Sequence, residues 1–257
     1  MAGKKFMNLH TERSCWQQDI TRRDRFGAVL KTVGILLITA WMYYGTFLVT
    51  VLFIPAGCRM YRMFQKELEE KKEAEFQLQF KEAIQTLSAS LNSGYSVENA
   101  FYETQKELLI IYPPEARISR ELLIIVRKLK IHVPIEQALK EFAECTQTEE
   151  VQSFVEVFGM AKRSGGDMIG IIRDTVRQIS DKIDVKREID TILAAKRYEF
   201  RVMSVIPYII IGYMSVSFPE FMKSLYGNAA GIGVMTGCLA IYTGAYYLGV
   251  KMIKIEI

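Results

Sequence analysis

The sequence of 257 residues has little of the side-chain chemistry that metal sites and disulfide scaffolds need. Its two histidines, His10 and His132, have no metal-ligand partner at helical spacing. Its four cysteines lie far apart, at Cys15, Cys58, Cys145 and Cys238. Scattered cysteines argue against a disulfide framework and against a zinc site. We therefore expect no metal and no cofactor.

Motifs for nucleotide binding and nucleophilic catalysis are also missing. No Gly-x-x-x-x-Gly-Lys-Ser/Thr loop occurs, so the sequence has no P-loop. The segment from Gly94 through Ser96 to Glu98 begins like a nucleophile elbow but lacks the second glycine and a preceding strand. We interpret it as a turn in which Ser96 caps the next helix and Glu98 favours its dipole. The protein is predicted not to be an enzyme.

Charged residues are absent from three long runs, at residues 32–58, 202–219 and 224–250. Uncharged runs of about 18 residues or more are candidate membrane spans. Between them, residues 59–201 hold 23 of the 33 basic and 24 of the 29 acidic residues. A nucleic-acid-binding protein would place excess positive charge on its soluble part. The sequence instead predicts a charge-balanced soluble segment between membrane anchors, and no nucleic-acid partner.

The first run, within residues 27–62, allows either one long span or a hairpin of two short spans. Basic residues flank it on both sides, and the positive-inside rule places both flanks in the cytoplasm. That rule favours the hairpin, turning near Tyr44. We expect a cytoplasmic polar tail at 1–26, this transmembrane segment at 27–62, a cytoplasmic helical domain at 63–201 and two C-terminal spans at 202–257.

The C-terminal spans are separated by a short segment, residues 219–230, that we expect to be an external loop. Lys251 and Lys254 anchor the last span inside, so both termini face the cytoplasm. Small residues at Gly233, Gly237 and Gly244 lie on one face of this span. Such a face lets helices approach closely, although glycine is also ordinary in membrane helices.

Apolar residues in the soluble segment recur every three or four positions, and no alternation typical of strands is present. Breakers divide the segment into six helices: Ser93-Gly94, Tyr112-Pro113-Pro114, His132-Val133-Pro134, the residues after Cys145, and Ser164-Gly165-Gly166. Pro114 is expected in the first turn of the third helix. We predict an all-α, membrane-anchored protein with a six-helix cytoplasmic bundle.

The sixth helix has apolar residues at alternating steps of three and four: Ile169, Ile172, Val176, Ile179 and Ile183. This spacing is typical of a coiled-coil seam and equally of the core stripe of a globular bundle. Because it lasts barely two heptads, the core stripe is the favoured interpretation.

Three segments in this order resemble the type II secretion system F domain: Phe80–Leu87, Leu91–Ala100, and Ala161–Gly166 followed by a long helix. The resemblance covers about residues 76–257. Within this family, the sequence is most similar to the single-copy version of the domain found in Tad (tight adherence) pilus systems. It implies a platform protein of the bacterial or archaeal cytoplasmic membrane. Family members are thought to couple a hexameric secretion ATPase to pilin assembly and have no catalytic residues.

The resemblance also implies partners. A single F domain implies a homo-oligomer or pairing with a second platform protein, in addition to the ATPase and the pilin. The basic corner formed by Lys162, Arg163, Gly165 and Gly166 is either a tight helix–helix turn or a docking site for an acidic partner surface. The alternative function is a membrane-anchored helical signalling or scaffold protein.

Overall fold

The computed structural model describes residues 22–45, 54–164 and 167–253. All elements in these residues are helices, which confirms the predicted all-α class. In chain order they are α1 (Arg22–Tyr44), α2 (Ile54–Asn92), α3 (Val97–Ile111), α4 (Arg117–Lys130), α5 (Ile135–Thr146), α6 (Glu149–Ser164), α7 (Met168–Ser217), α8 (Pro219–Gly227) and α9 (Ala229–Ile253).

The described residues form two compact units whose boundaries fall within α2 and α7. Unit 1 contains residues 68–187, and unit 2 contains residues 22–67 and 188–253. Six helices of unit 1, α2 to α7, contribute to one apolar core. A chain of phenylalanine contacts runs through this core, with rings about 6 Å apart: Phe76, Phe80, Phe142, Phe154 and Phe158.

The helix ends in unit 1 follow local backbone chemistry. Gly94 adopts a left-handed φ of 87° after α2 ends. Ser96 is extended and caps α3, since its Oγ accepts the backbone N–H of Asn99 at 3.4 Å. His132 and Gln147 are left-handed at the ends of α4 and α5. The predicted turns at 93–94 and 132–134 are therefore present.

Two expectations about local structure are wrong. Pro114 does not lie in the first turn of a helix, because α4 begins at Arg117 and the extended Ala116 is its N-cap. The Ala116 N–H bonds to the Pro113 carbonyl in a turn between the two helices. Residues 219–230 are not a loop, since Pro219–Gly227 forms the helix α8. Its sequence carries the signal, with proline at the first position and an acid in the first turn.

The apolar stripe of α7 belongs to the core of unit 1. Four of its residues are buried there: Ile172, Val176, Ile179 and Ile183. Ile169 is exposed. This arrangement agrees with the interpretation as a core stripe, because the stripe is buried in the core of its own chain.

Unit 2 is built from α1, α8, α9 and the adjoining parts of α2 and α7. Within the residues that the structure describes, three helices contain segments long and apolar enough to cross a membrane, at Phe26–Tyr44, within Met168–Ser217 and at Ala230–Met252. Tyrosines link these helices. The Tyr208 hydroxyl lies 3.2 Å from Thr39 Oγ1, and the Tyr242 hydroxyl donates to the Ser204 carbonyl at 2.8 Å. Buried polar groups of apolar helices are stabilised by such pairing.

Gly45 and Gly57, which lie before and after the undescribed segment 46–53, are both close to α1. A Cβ added at Gly57 would meet the Leu36 side chain at 2.7 Å and that of Thr32 at 3.9 Å. Gly45 has a left-handed φ of 64° and lies against the Tyr226 ring. The beginning of α2 thus lies against α1.

Candidate protein-docking surface

Three connections lie at the same end of unit 1. Helices α2 and α7 are antiparallel, because Lys81 bonds Asp184 at 2.6 Å and Gln85 bonds Ser180 at 3.1 Å. The short links between successive helices make the others alternate in direction as well. The α2–α3, α4–α5 and α6–α7 connections therefore meet at one end of the bundle, which we call the turn end.

The turn end brings together the two groups of site residues that the sequence singled out. Gly94, Ser96 and Glu98 are exposed on the α2–α3 connection. Lys162 and Arg163 are exposed at the end of α6. Gly165 and Gly166 lie outside the described residues. Asp167, which follows them, caps α7 through its Oδ1, which accepts the Gly170 N–H at 2.8 Å.

The basic corner is partly neutralised within the chain. Lys162 Nζ lies 3.0 Å from Glu136 Oε1, at the start of α5. A backbone hydrogen bond at Glu136, and then the bond from Lys162, hold the pKa of this carboxyl below its usual value. The Arg163 side chain donates to the Gly159 carbonyl at 3.0 Å. Because a carbonyl is neutral, this bond leaves the positive charge of Arg163 in place.

Exposed apolar side chains surround these charges on the turn end. Ile131 at the end of α4 is 73% exposed, and Tyr95 and Ile169 are about half exposed. Large apolar residues among fixed charges are typical of surfaces that bind other proteins. The turn end thus combines fixed charges with exposed apolar side chains.

A buried polar layer crosses the opposite end of unit 1. Glu150 is only 4% exposed, and its carboxylate accepts a hydrogen bond from Gln77 at 3.2 Å. Lys182 reaches Glu150 at 3.8 Å and Glu149 at 2.9 Å. The bond to Glu149 raises the pKa of Lys182. This layer ties α2, α6 and α7 together where α2 enters and α7 leaves the unit.

Sequence reasoning missed this layer, since it considered only the overall charge balance of residues 59–201. A signal was available, since Glu150 occupies the same helical stripe as Phe154 and Phe158, at steps of four. A second missed group joins Arg117 and Glu121, 2.9 Å apart, with Cys145 Sγ 3.3 Å from the Arg117 guanidinium. Both charges are largely buried, so they fix how α4 meets α5.

A groove of about 320 Å³ lies beside the α3–α4 connection. Tyr112 lines it and donates a hydrogen bond to Glu82 at 2.8 Å. Burial, with this hydrogen bond adding to it, raises the pKa of Tyr112 to about 12. The hydroxyl therefore stays protonated at neutral pH and acts as a hydrogen-bond donor. Among the described residues, no three His, Cys, Asp or Glu side chains are grouped to hold a metal ion.

The small residues of α9 face away from the other described helices. No other part of the described chain lies within 4 Å of a Cβ added at Gly233, Gly237 or Gly244. Met235 and Leu239, on the other face, are buried in unit 2. A packing role for the glycine face therefore needs a partner outside the described helices.

A helical bundle joined to apolar helices of membrane length defines a membrane-anchored protein. The family model of the type II secretion system (T2SS) protein F matches residues 83–216, just over half of the chain. The chain therefore belongs to the T2SS protein F family, whose members are structural inner-membrane proteins of secretion and pilus machines rather than enzymes. Searches of curated proteins and of solved structures gave no match.

Proposed function

We propose that this protein is the inner-membrane platform of a Tad or type IV-like pilus, and that it couples a cytoplasmic secretion ATPase to pilin assembly. The family match over residues 83–216 carries the proposal, since it covers most of the helical bundle and continues into the apolar part of α7. A platform must join a cytoplasmic partner surface to the membrane. Helix α7 is continuous from Met168 to Ser217 and provides that link.

The turn end is the part of unit 1 that we propose for docking the ATPase or the pilin. Arg163 and the Lys162–Glu136 pair give it charges that an acidic or mixed partner surface can complement. Tyr95 and Ile131 provide exposed apolar area beside them. We further propose that a second platform protein, or a second copy of this chain, packs on the open glycine face of α9.

Co-purification tests the platform role. A tagged full-length protein, crosslinked in cells, should retain the secretion ATPase and the pilin encoded with it. The purified protein should not hydrolyse ATP, because the sequence has no phosphate-binding loop. Recovery of a histidine kinase or a receptor in place of these partners would support the signalling alternative and contradict the platform.

The proposed topology has four spans, with the unit 1 bundle and both termini in the cytoplasm. It is supported by the contact of Gly57, after the first apolar run, with Leu36 inside that run, and by the basic flanks of the run. A His10→Cys variant in a background without other cysteines should be protected from an impermeant thiol reagent outside intact cells. Labelling from outside would leave a single long first span as the explanation.

A further inference from the structure

Four cations surround one end of α9 in unit 2. The Arg59 guanidinium carbon lies 5.2 Å from the ring centroid of Tyr247. Arg201 adjoins Phe200, whose ring contacts Tyr246 with centroids 5.5 Å apart. Lys251 lies one turn beyond Tyr247 on the same face of α9.

The cations of α2 and α9 lie at the same end of α9, because Arg59 of α2 contacts Tyr247 and Lys251 follows Tyr247 by one turn. Thr236, eleven residues before Tyr247, instead lies 3.0 Å from the Tyr44 hydroxyl at the end of α1. Arg62 follows Arg59 by one turn of α2. We call Arg59, Arg62, Arg201 and Lys251 the basic collar.

The collar's charges are not neutralised by neighbouring acids. In the part of the chain that the structure describes, no ion pair joins a collar residue to a carboxylate. The nearby Lys196 and Arg197 are different, since they pair with Glu199 at 3.1 Å and Asp190 at 3.3 Å. Glu67 and the collar residue Arg201 both act electrostatically on the Tyr246 hydroxyl.

The surface next to the collar is apolar. Tyr247, Leu248 and Met252 are all more than half exposed on the last turns of α9. A ligand that binds both the basic collar and this apolar surface must combine a compact anion with a long apolar segment. Basic pockets between membrane helices bind the headgroups of anionic lipids for this reason.

We propose that the basic collar binds the phosphate headgroup of an anionic phospholipid, with its acyl chains along the exposed apolar residues of α9. Arg59 and Lys251 would hold the headgroup between α2 and α9, while the ring of Tyr247 lies at the boundary of the headgroup and the acyl region. The inference needs membrane insertion, which is part of the proposed function, but it does not need the platform role.

Native mass spectrometry of the full-length protein in mild detergent tests the proposal, with phosphatidylglycerol or phosphatidylcholine added. The wild type should retain phosphatidylglycerol and release phosphatidylcholine. A variant with Arg59→Gln and Lys251→Gln should bind phosphatidylglycerol about 30-fold more weakly, since each cation near an anionic lipid contributes about fivefold in affinity. Pilus assembly is not part of this measurement, so failure of the lipid site and failure of the platform role are distinguishable.

Two control variants separate a specific site from general charge and from misfolding. Lys196→Gln with Arg197→Gln removes the same charge from paired residues and should change phosphatidylglycerol binding less than threefold. Arg59→Lys with Lys251→Arg keeps the charges and should retain binding. Equal losses in both glutamine variants, equal retention of the two lipids, or displacement of phosphatidylglycerol by 10 mM inorganic phosphate alone would each overturn the proposal.

Discussion

At the scale of single residues, Gly94 is favoured by its backbone conformation and not by a lack of space for a side chain. Its φ of 87° is left-handed, yet no other described atom lies within 4 Å of the position that a Cβ would occupy. Gly94→Ala should therefore lower the free energy of unfolding by about 1 kcal/mol, entirely through backbone strain. Thermal or denaturant unfolding of the detergent-solubilised protein measures the change.

The matched control at this position is Gly94→Asn, because asparagine tolerates the left-handed conformation better than alanine does. Asparagine should recover part of the lost stability although it is the larger side chain. If alanine and asparagine cost the same, the turn rearranges on substitution and the strain argument fails.

The Lys162–Glu136 pair predicts a small pH-dependent contribution. The pKa of Glu136 is lowered in the folded protein, so its ionised form stabilises folding above the unfolded pKa, and this stabilisation is lost as the pH falls through the lower folded value. Both side chains are more than a third exposed, so Lys162→Gln should cost less than about 1 kcal/mol at pH 7. The difference from the wild type should shrink below about pH 4.5, and a constant difference down to pH 3 would show that the ion pair contributes nothing.

At the scale of helices, the ends of helices were predictable from the sequence wherever a single residue determines them. Ser96, Gly94 and the Pro134 break lie at or next to helix ends in the structure. The start of α4 was not predictable from Pro114, because the chain first makes a turn in which the Ala116 N–H bonds to the Pro113 carbonyl. The buried Glu121 and Glu150 were missed as well, since sequence spacing shows which face a carboxylate is on but not which partner balances it.

The N-cap of α3 gives a prediction at this scale. Ser96→Ala removes the acceptor for the Asn99 N–H and should destabilise unit 1 by about 1 kcal/mol. Ser96→Asp keeps an acceptor and adds a charge favourable to the helix dipole, so it should equal or exceed the wild type in stability. Unfolding midpoints of the two variants, compared at one pH, measure the effect. Equal destabilisation by both would mean that the long 3.4 Å bond does not cap the helix.

At the scale of the whole molecule, the fold brings separate groups of exposed residues together at the turn end of unit 1. Residues that are separated by about 70 positions in the sequence, such as Ser96 and Arg163, reach that end because the helices alternate in direction. The sequence resemblance named both groups but could not show that they share one end. The ion pair from Lys162 to Glu136 changes how the docking proposal must be tested, because reversing Lys162 alone would place two carboxylates together.

The sharper test reverses the pair as a unit. One variant, with Glu136→Lys and Lys162→Glu, reverses the ion pair and keeps it. A second variant, Arg163→Glu, reverses a charge whose side chain donates to the backbone carbonyl of Gly159. Both variants should keep the unfolding midpoint, since exposed charges contribute little to stability. If the turn end docks the secretion ATPase, each variant should slow association and reduce co-purified ATPase by about fivefold or more, because rim charges govern encounter rates. Lys186→Glu, an exposed cation on α7 at the opposite end of unit 1, provides the control and should leave the yield of ATPase unchanged. Normal ATPase recovery and normal pilus assembly with both turn-end variants would mean that this end of the bundle is architecture alone.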